Sequence, residues 1–360
     1  MTNKEIIDIY SDYLISSFGQ TTGTGMAALL EGSLSHDQIQ RALSKERFGS
    51  AELWRVVKPY IRQIESSEGL LIVDDSIAEK PYSDENEIIC WHWDHSKQRL
   101  VKGINFVSLV YHQPVGQALT LPLGYQLIAK TEEYVDAKDG KTKRRSPKSK
   151  NEYFRVLLHQ ANANQVHFGY VTSDTWFASA DNMQFVKQTL NKDFVMPLKD
   201  NRKVALSLQD KQAGRYLRVD SLTLATNSRL LVYLEGVDFP LHLVKQIFTN
   251  EDGSTGVLYL VTSDLTLTDD RITTIYQKRW NIEPYHKSLK QNAGLEKSPT
   301  HTVTTQSNHF FAALCAYIKL ELLKLSTQLN HFALRSKLYR KAILTAFNTL
   351  QDFKPVRLAA

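Results

Sequence analysis

Tyr276, Arg279, Glu283 and Lys290 lie in the stretch Tyr276-Gln-Lys-Arg-Trp-Asn-Ile-Glu-Pro-Tyr-His-Lys-Ser-Leu-Lys290. On a helix turning about 100° per residue they share a sector of roughly 60°. One carboxylate then sits among two cations and a phenol. Ile275, Ile282 and Leu289 form a neighbouring seam that can pack on a core. Arg can grip an oxyanion such as phosphate bidentately, and Lys serves as a point charge. An ordinary amphipathic helix with a solvated basic face has the same periodicity. Pro284 follows the glutamate directly, removing a backbone donor and clashing with the preceding turn. This predicts a kink just past Glu283, which keeps Tyr276, Arg279 and Glu283 aligned and leaves the placement of Lys290 open.

Two apolar runs end in acids. Gly69-Leu-Leu-Ile-Val-Asp-Asp-Ser76 has the pattern of a buried central strand ending at Asp74 and Asp75, and Val166 to Asp174 reads as another. Alternation lets only one of Asp74 and Asp75 face a given side. An isolated acid at a strand end is ordinarily a turn former. Three carboxylates brought together from two strand ends and a helix would repel one another unless neutralised. Hard divalent cations do this, and Mg²⁺ is commonly held by one or two carboxylates plus phosphate oxygens. Two such ions activate an attacking oxygen and stabilise a leaving one. No G-x-x-x-x-G-K-[ST] run is present, which argues against a nucleoside triphosphatase.

The elements that must position these residues follow in order. Residues 1–66 read as helices: Glu5 to Phe18, a glycine-containing turn from Gly19 to Gly25, a helix capped by Ser35 with Gln38 completing the box, and Ala51 to Ile64. Residues 67–198 read as a strand, a hairpin (Ile104 to His112 and Gln117 to Ile128), helix, strand, helix, strand. Thr131 to Lys150, rich in Lys and Arg, is expected to be a mobile basic loop, either solvated or tracking phosphates. Residues 199–264 form a β-rich insertion. Residues 265–330 return to helices through the signature, and 331–360 add a C-terminal helical segment. The class is α/β, and this element order matches a ribonuclease H-like core.

The spacing Tyr, two residues, Arg, three residues, Glu, six residues, Lys resembles the Y-R-E-K signature of bacterial insertion-sequence DDE transposases. Arg279-Trp280 and Tyr285-His286-Lys287 look like that family too. The resemblance implies catalytic, metal-binding acids at Asp74, Asp174 and Glu283, with Asp75 the alternative first acid. It implies DNA contacts by Tyr276, Arg279, Trp280, Lys287 and Lys290. Two Mg²⁺ ions are the implied cofactors, with Mn²⁺ able to substitute. The implied partners are transposon-end DNA and target DNA, bound by a homodimer. The activity would be end cleavage and joining of a 3′-hydroxyl, with a helical DNA-binding region at residues 1–66. A ribonuclease H-like nuclease without strand transfer, or an inactivated DNA-binding repressor, would share most of these features.

Trp176 and Trp280 flank the acids, suited to stacking on unpaired bases but more often core residues. Cys90-Trp-His92-Trp-Asp-His95 offers two His and one Cys without a fourth ligand, a weak case for zinc. The 360 residues can bury a substantial core, and the net charge of +6 suits a polyanionic partner. Only Cys90 and Cys315 are present, far apart, which fits a reducing compartment. Neither a secretory start nor a span of membrane length is read, so a bacterial cytoplasmic, nucleoid-associated protein with no membrane partner is expected.

Overall fold

The computed structural model describes residues 1–225, 228–249 and 252–352. Four helices come first: α1 (Asn3–Ser16), α2 (Gly23–Leu29), α3 (His36–Lys45) and α4 (Ser50–Ile64). The expected box at α3 is formed, with Ser35 Oγ accepting from Gln38 N–H at 3.3 Å and Ser35 N–H donating to Gln38 Oε1 at 2.9 Å. The turn predicted to reach Gly25 is shorter, because the Thr22 hydroxyl accepts from Gly25 N–H at 2.9 Å and starts α2 there.

Next come β1 (Leu70–Glu79), β2 (Ile89–Asp94), β3 (Arg99–Gln113) and β4 (Leu119–Leu127). β3 pairs antiparallel with β1 on one side, and with β2 and then β4 on the other. β1 does not stop at its acids but runs on to Glu79, because Asp75 to Glu79 keep pairing with Val107 to Gly103. Thr131 to Lys150 is not a loop throughout. Most of it is a hairpin, β5 (Glu132–Val135) and β6 (Thr142–Arg145). Acids interleaved with the cations hold it: Arg145 pairs with Glu132 at 3.1 Å and Lys143 with Asp136 and Asp139. The turn closes with Gly140 at φ 66°, where a side chain would be strained.

The core continues through α5 (Lys150–Ala163), β7 (Tyr170–Ser173), α6 (Ala180–Gln184) with a π-helical turn at Phe185–Thr189, and β8 (Asp193–Leu198). β7 lies parallel to β1, and β8 parallel to β7. Strands in the order β4-β3-β1-β7-β8, the first three antiparallel, form a ribonuclease H-like core. Leu71, Ile72 and Val73 are fully buried within it. α5 buries Phe154, Leu157 and Leu158 and packs on β3 and β4.

The β-rich segment comprises β9 (Lys203–Ala205), α7 (Leu208–Gln212), β10 (Leu217–Arg218), β11 (Arg229–Leu234), β12 (Leu241–Thr249) and β13 (Thr255–Thr262). It extends the core sheet rather than standing apart, since β13 pairs antiparallel with β8. The remaining helices are α8 (Asp269–Lys278), α9 (Ile282–Gln291), α10 (Val303–Thr327) and α11 (His331–Asp352), with a 3-10 turn at Arg279–Asn281.

Chain contacts divide the protein into residues 49–285, which hold the whole sheet, and a discontinuous helical unit of residues 1–48 and 286–360. These divisions differ from those read at 66/67, 198/199, 264/265 and 330/331. α4 buries Leu53, Val57 and Ile61 and packs on β4, so it joins the sheet unit. In the helical unit α1 and α3 pack on α10. The Tyr10 hydroxyl meets His309 Nδ1 at 3.0 Å, and Phe48 stacks on Phe311. Among the described residues no helix is long and apolar enough to cross a membrane.

Candidate active site

Parallel pairing aligns Leu70 to Val73 with Tyr170 to Ser173. One residue further, Asp74 and Asp174 emerge at neighbouring positions, and in-register residues of parallel strands present side chains to the same face. Strand alternation turns Asp75 the other way, and Lys150 Nζ donates to its carboxylate at 2.6 Å, although its charge still raises Asp174. Asp74 is thus the acid that faces Asp174.

The charge of Asp174 acts on Asp74, and that of Asp75 acts on both. Burial, followed by the charges of Asp174 and Asp75, pushes the Asp74 carboxyl up to about 8. Burial also raises Asp174, partly offset by backbone N–H groups of Phe177 and Trp176, which donate to its Oδ1 at 3.3 and 3.1 Å. Two acids reluctant to ionise together are a site for positive charge. Their oxygen-only donor set fits a hard divalent cation.

Arg279 supplies one nearby charge and lowers both acids. It is only 9% exposed, and its guanidinium lies 5.5 Å from the centre of the Tyr276 ring. Burial pushes the Tyr276 phenol up. Arg279 Nη2 also donates to Glu283 at 3.3 Å. The Tyr276–Arg279 end of the stripe is therefore buried, not the solvated face that periodicity also allowed. Glu283 itself is largely exposed and bound to Arg279. Among the described residues no group of three or more His, Cys, Asp or Glu side chains is placed to share an ion. The structure thus brings Asp74, Asp174, Arg279 and Tyr276 together, and ties Glu283 to them through Arg279.

The helix carrying these groups breaks, but not where the sequence predicts. The break is the 3-10 turn Arg279–Asn281, before Pro284 rather than after Glu283. A proline cannot donate to the carbonyl four residues back and crowds it, so the disturbance falls on Trp280. Pro284 itself sits in the first turn of α9, where a missing N–H is tolerated. The Tyr285 hydroxyl meets Ser108 at 3.4 Å, opposite Asp74 in the β1–β3 pairing. Lys287 and Lys290 lie further along α9, in the helical unit, where Lys287 Nζ is 5.3 Å from the centre of the Phe332 ring.

Trp280 and Trp176 are not core residues: they are 55% and 53% exposed. Both lie in turns, Trp280 in the 3-10 turn and Trp176 just after β7, rather than on a face of the sheet. Cys90 and His92 face inward from β2, where burial, then Lys130 and Lys150, lower His92 to about 4. His95 lies in the turn beyond, against Trp93 and Trp176. The run is a strand and a turn, and among the described residues it forms no metal cluster. Asp75–Lys150 was not foreseen as a pair. Its signal, Lys150 at the start of a helix, becomes visible only once α5 packs behind the sheet.

Comparison with known families gives two matches. Residues 2–218 match the family described as DDE superfamily endonuclease, and residues 147–319 match the transposase DDE domain. No individually curated protein matches the chain.

Proposed function

The chain belongs to the DDE endonuclease superfamily, and we propose that it is a transposase that cleaves DNA at the ends of a mobile element and joins the 3′-hydroxyl to target DNA. Its transposase DDE domain implies DNA substrates and the use of divalent metal. The observation that carries the finer reading is the pairing of Asp74 and Asp174 on one sheet face with Arg279 beside them.

In this reading Asp74 and Asp174 would hold two Mg²⁺ ions, replaceable by Mn²⁺, with Glu283 as the third acid. The ions supply Lewis-acid stabilisation of phosphoryl oxygens and a more acidic attacking oxygen. Asp75 stays paired with Lys150 and supports the strand. Arg279 offers the scissile phosphate a planar fork, and its contact with Glu283 exchanges for that phosphate when DNA binds. Tyr276, Trp280, Lys287 and Lys290 add contacts to the DNA end, and the helices of residues 1–66 contribute to DNA binding. The working form on DNA is a homodimer, in a cytoplasmic, nucleoid-associated setting.

The test uses a plasmid carrying the DNA that flanks the gene, incubated with purified protein and Mg²⁺. Cleavage at the flanking ends followed by joining to a second plasmid is expected. Asp174→Asn should abolish both reactions and leave DNA binding intact, and a chelator should do the same to the wild-type protein. Cutting without joining would assign a nuclease. Full activity in chelator would overturn the metal assignment.

A further inference from the structure

We propose that an exposed aromatic ledge made by Trp93, His95 and Trp176 binds unpaired bases of a single DNA strand beside the acid pair. The proposal rests on the reading of the chain as a DNA-cleaving enzyme, and it states where single-stranded substrate lies.

β2 alternates strictly. Cys90 and His92 face inward, so Trp91 and Trp93 face solvent at 47% and 49% exposure. The turn after β2 brings His95 to 6.5 Å from the Trp93 ring centre. On its other side His95 lies 6.3 Å from Trp176, which comes from the loop after β7. Two separate segments thus converge on one aromatic surface. Large aromatic side chains normally bury most of their area, and leaving these uncovered keeps ring faces free for a ligand.

Two observations identify the ligand. The ledge starts two residues from an acid: Trp176 follows Asp174 in the turn after β7, and its backbone N–H donates to the Asp174 carboxylate at 3.1 Å. Cations also border it. Lys102 lies opposite Trp91 in the strand pairing, with Nζ 5.9 Å from its ring centre, and Lys130 Nζ donates to the Trp91 carbonyl at 2.8 Å. Lys97 and Arg99, at the tip of the β2–β3 hairpin, share the one carboxylate of Glu79. A basic border around exposed rings matches a polyanion with accessible π-faces. Duplex DNA keeps its bases stacked on one another, whereas an unpaired strand offers them to aromatic side chains.

Fluorescein-labelled oligothymidylate and a labelled duplex, both in chelator so that nothing is cut, test this by anisotropy. Trp93→Ala and Trp176→Ala should each weaken oligothymidylate binding by roughly 5- to 150-fold, the range of one lost stacking contact. Trp176→Phe should restore most of the loss, and duplex affinity should change little. Unaltered melting temperatures would exclude misfolding as the cause. Wild-type oligothymidylate affinity in both alanine variants, or equal losses on duplex and single strand, would overturn the ledge. If the wild-type protein cleaves and joins DNA while the alanine variants bind oligothymidylate normally, only the ledge fails. If the variants lose that binding but no cleavage occurs, the enzymatic reading fails and the ledge stands.

Discussion

Asp74 ionises near 3.8 in an unfolded chain and near 8 in the folded one. Between those values the folded protein keeps a proton that the unfolded chain has released. Its contribution to stability is therefore complete below about 4 and falls as pH rises towards 8. In chelator, Asp74→Asn should remove this slope. The variant should exceed wild type by a few kcal/mol above pH 8 and lose that advantage near pH 4, by urea denaturation at both values. An unchanged pH slope in the variant would refute the burial of that carboxyl. Arg279 invites a second test at this scale. Because it is 9% exposed and faces both acids, Arg279→Ala should cost stability as well as DNA affinity, contrary to what a solvated stripe implies. Arg279→Lys keeps the charge and loses the fork, so it should bind element-end DNA with an intermediate defect. Each lost phosphate contact lowers the slope of log K against log salt by about 0.9 on duplex DNA.

The element that sets the site is the interrupted helix from α8 through the 3-10 turn into α9. Its break turns on Pro284, which denies the Trp280 carbonyl its usual donor. Pro284→Ala restores that N–H and allows α8 and α9 to run on as one helix, which would re-aim Arg279 and Glu283. We expect little change in stability, within about 1 kcal/mol, because the first helical turn tolerates proline. Cleavage should drop at least about tenfold, since small misplacements at a reacting centre are costly. Kinetics and thermal melting of the variant check both halves. Normal cleavage would show that the break does not position the acids. β1 makes the complementary point: by running past Asp75 to Glu79 it fixes both aspartates on a rigid strand rather than on a loop.

At the scale of the molecule, the sheet unit is continuous in sequence and the helical unit is not. A fragment of residues 49–285 should therefore fold alone, with a single cooperative melt and native-like strand content by circular dichroism. A chain lacking residues 1–48 should not keep its C-terminal helices ordered, because it loses the Tyr10–His309 and Phe48–Phe311 contacts. Proteolysis confined to residues after 285 in that truncation would show it. The helical unit also holds a buried polar cluster, His331 Nε2 beside Glu321 at 2.7 Å, with Ser288 on the other ring nitrogen at 2.7 Å. Removing one partner leaves buried polar groups unsatisfied, at about 1–3 kcal/mol. Since Lys324 still reaches Glu321 at 2.5 Å, His331→Leu should fall at the lower end by urea denaturation.

The sequence by itself determined most of the strand-and-helix order, the Ser35 cap, the strands that lead to the Asp74-Asp75 pair and to Asp174, and the Arg279–Glu283 spacing. These rest on local rules: alternation in strands, periodicity in helices and side-chain capping act over a few residues. Tertiary structure decided the rest. Which of Asp74 and Asp75 meets Asp174 followed from the register of β1 against β7, a pairing between segments about a hundred residues apart. That Arg279 is buried, that Trp176 and Trp280 are exposed, and that β9 to β13 extend the core sheet all depend on what packs against each segment. The discontinuous helical unit has the same cause: α1 and α3 bury their apolar faces on α10, some three hundred residues away, and no local pattern records a partner at that distance.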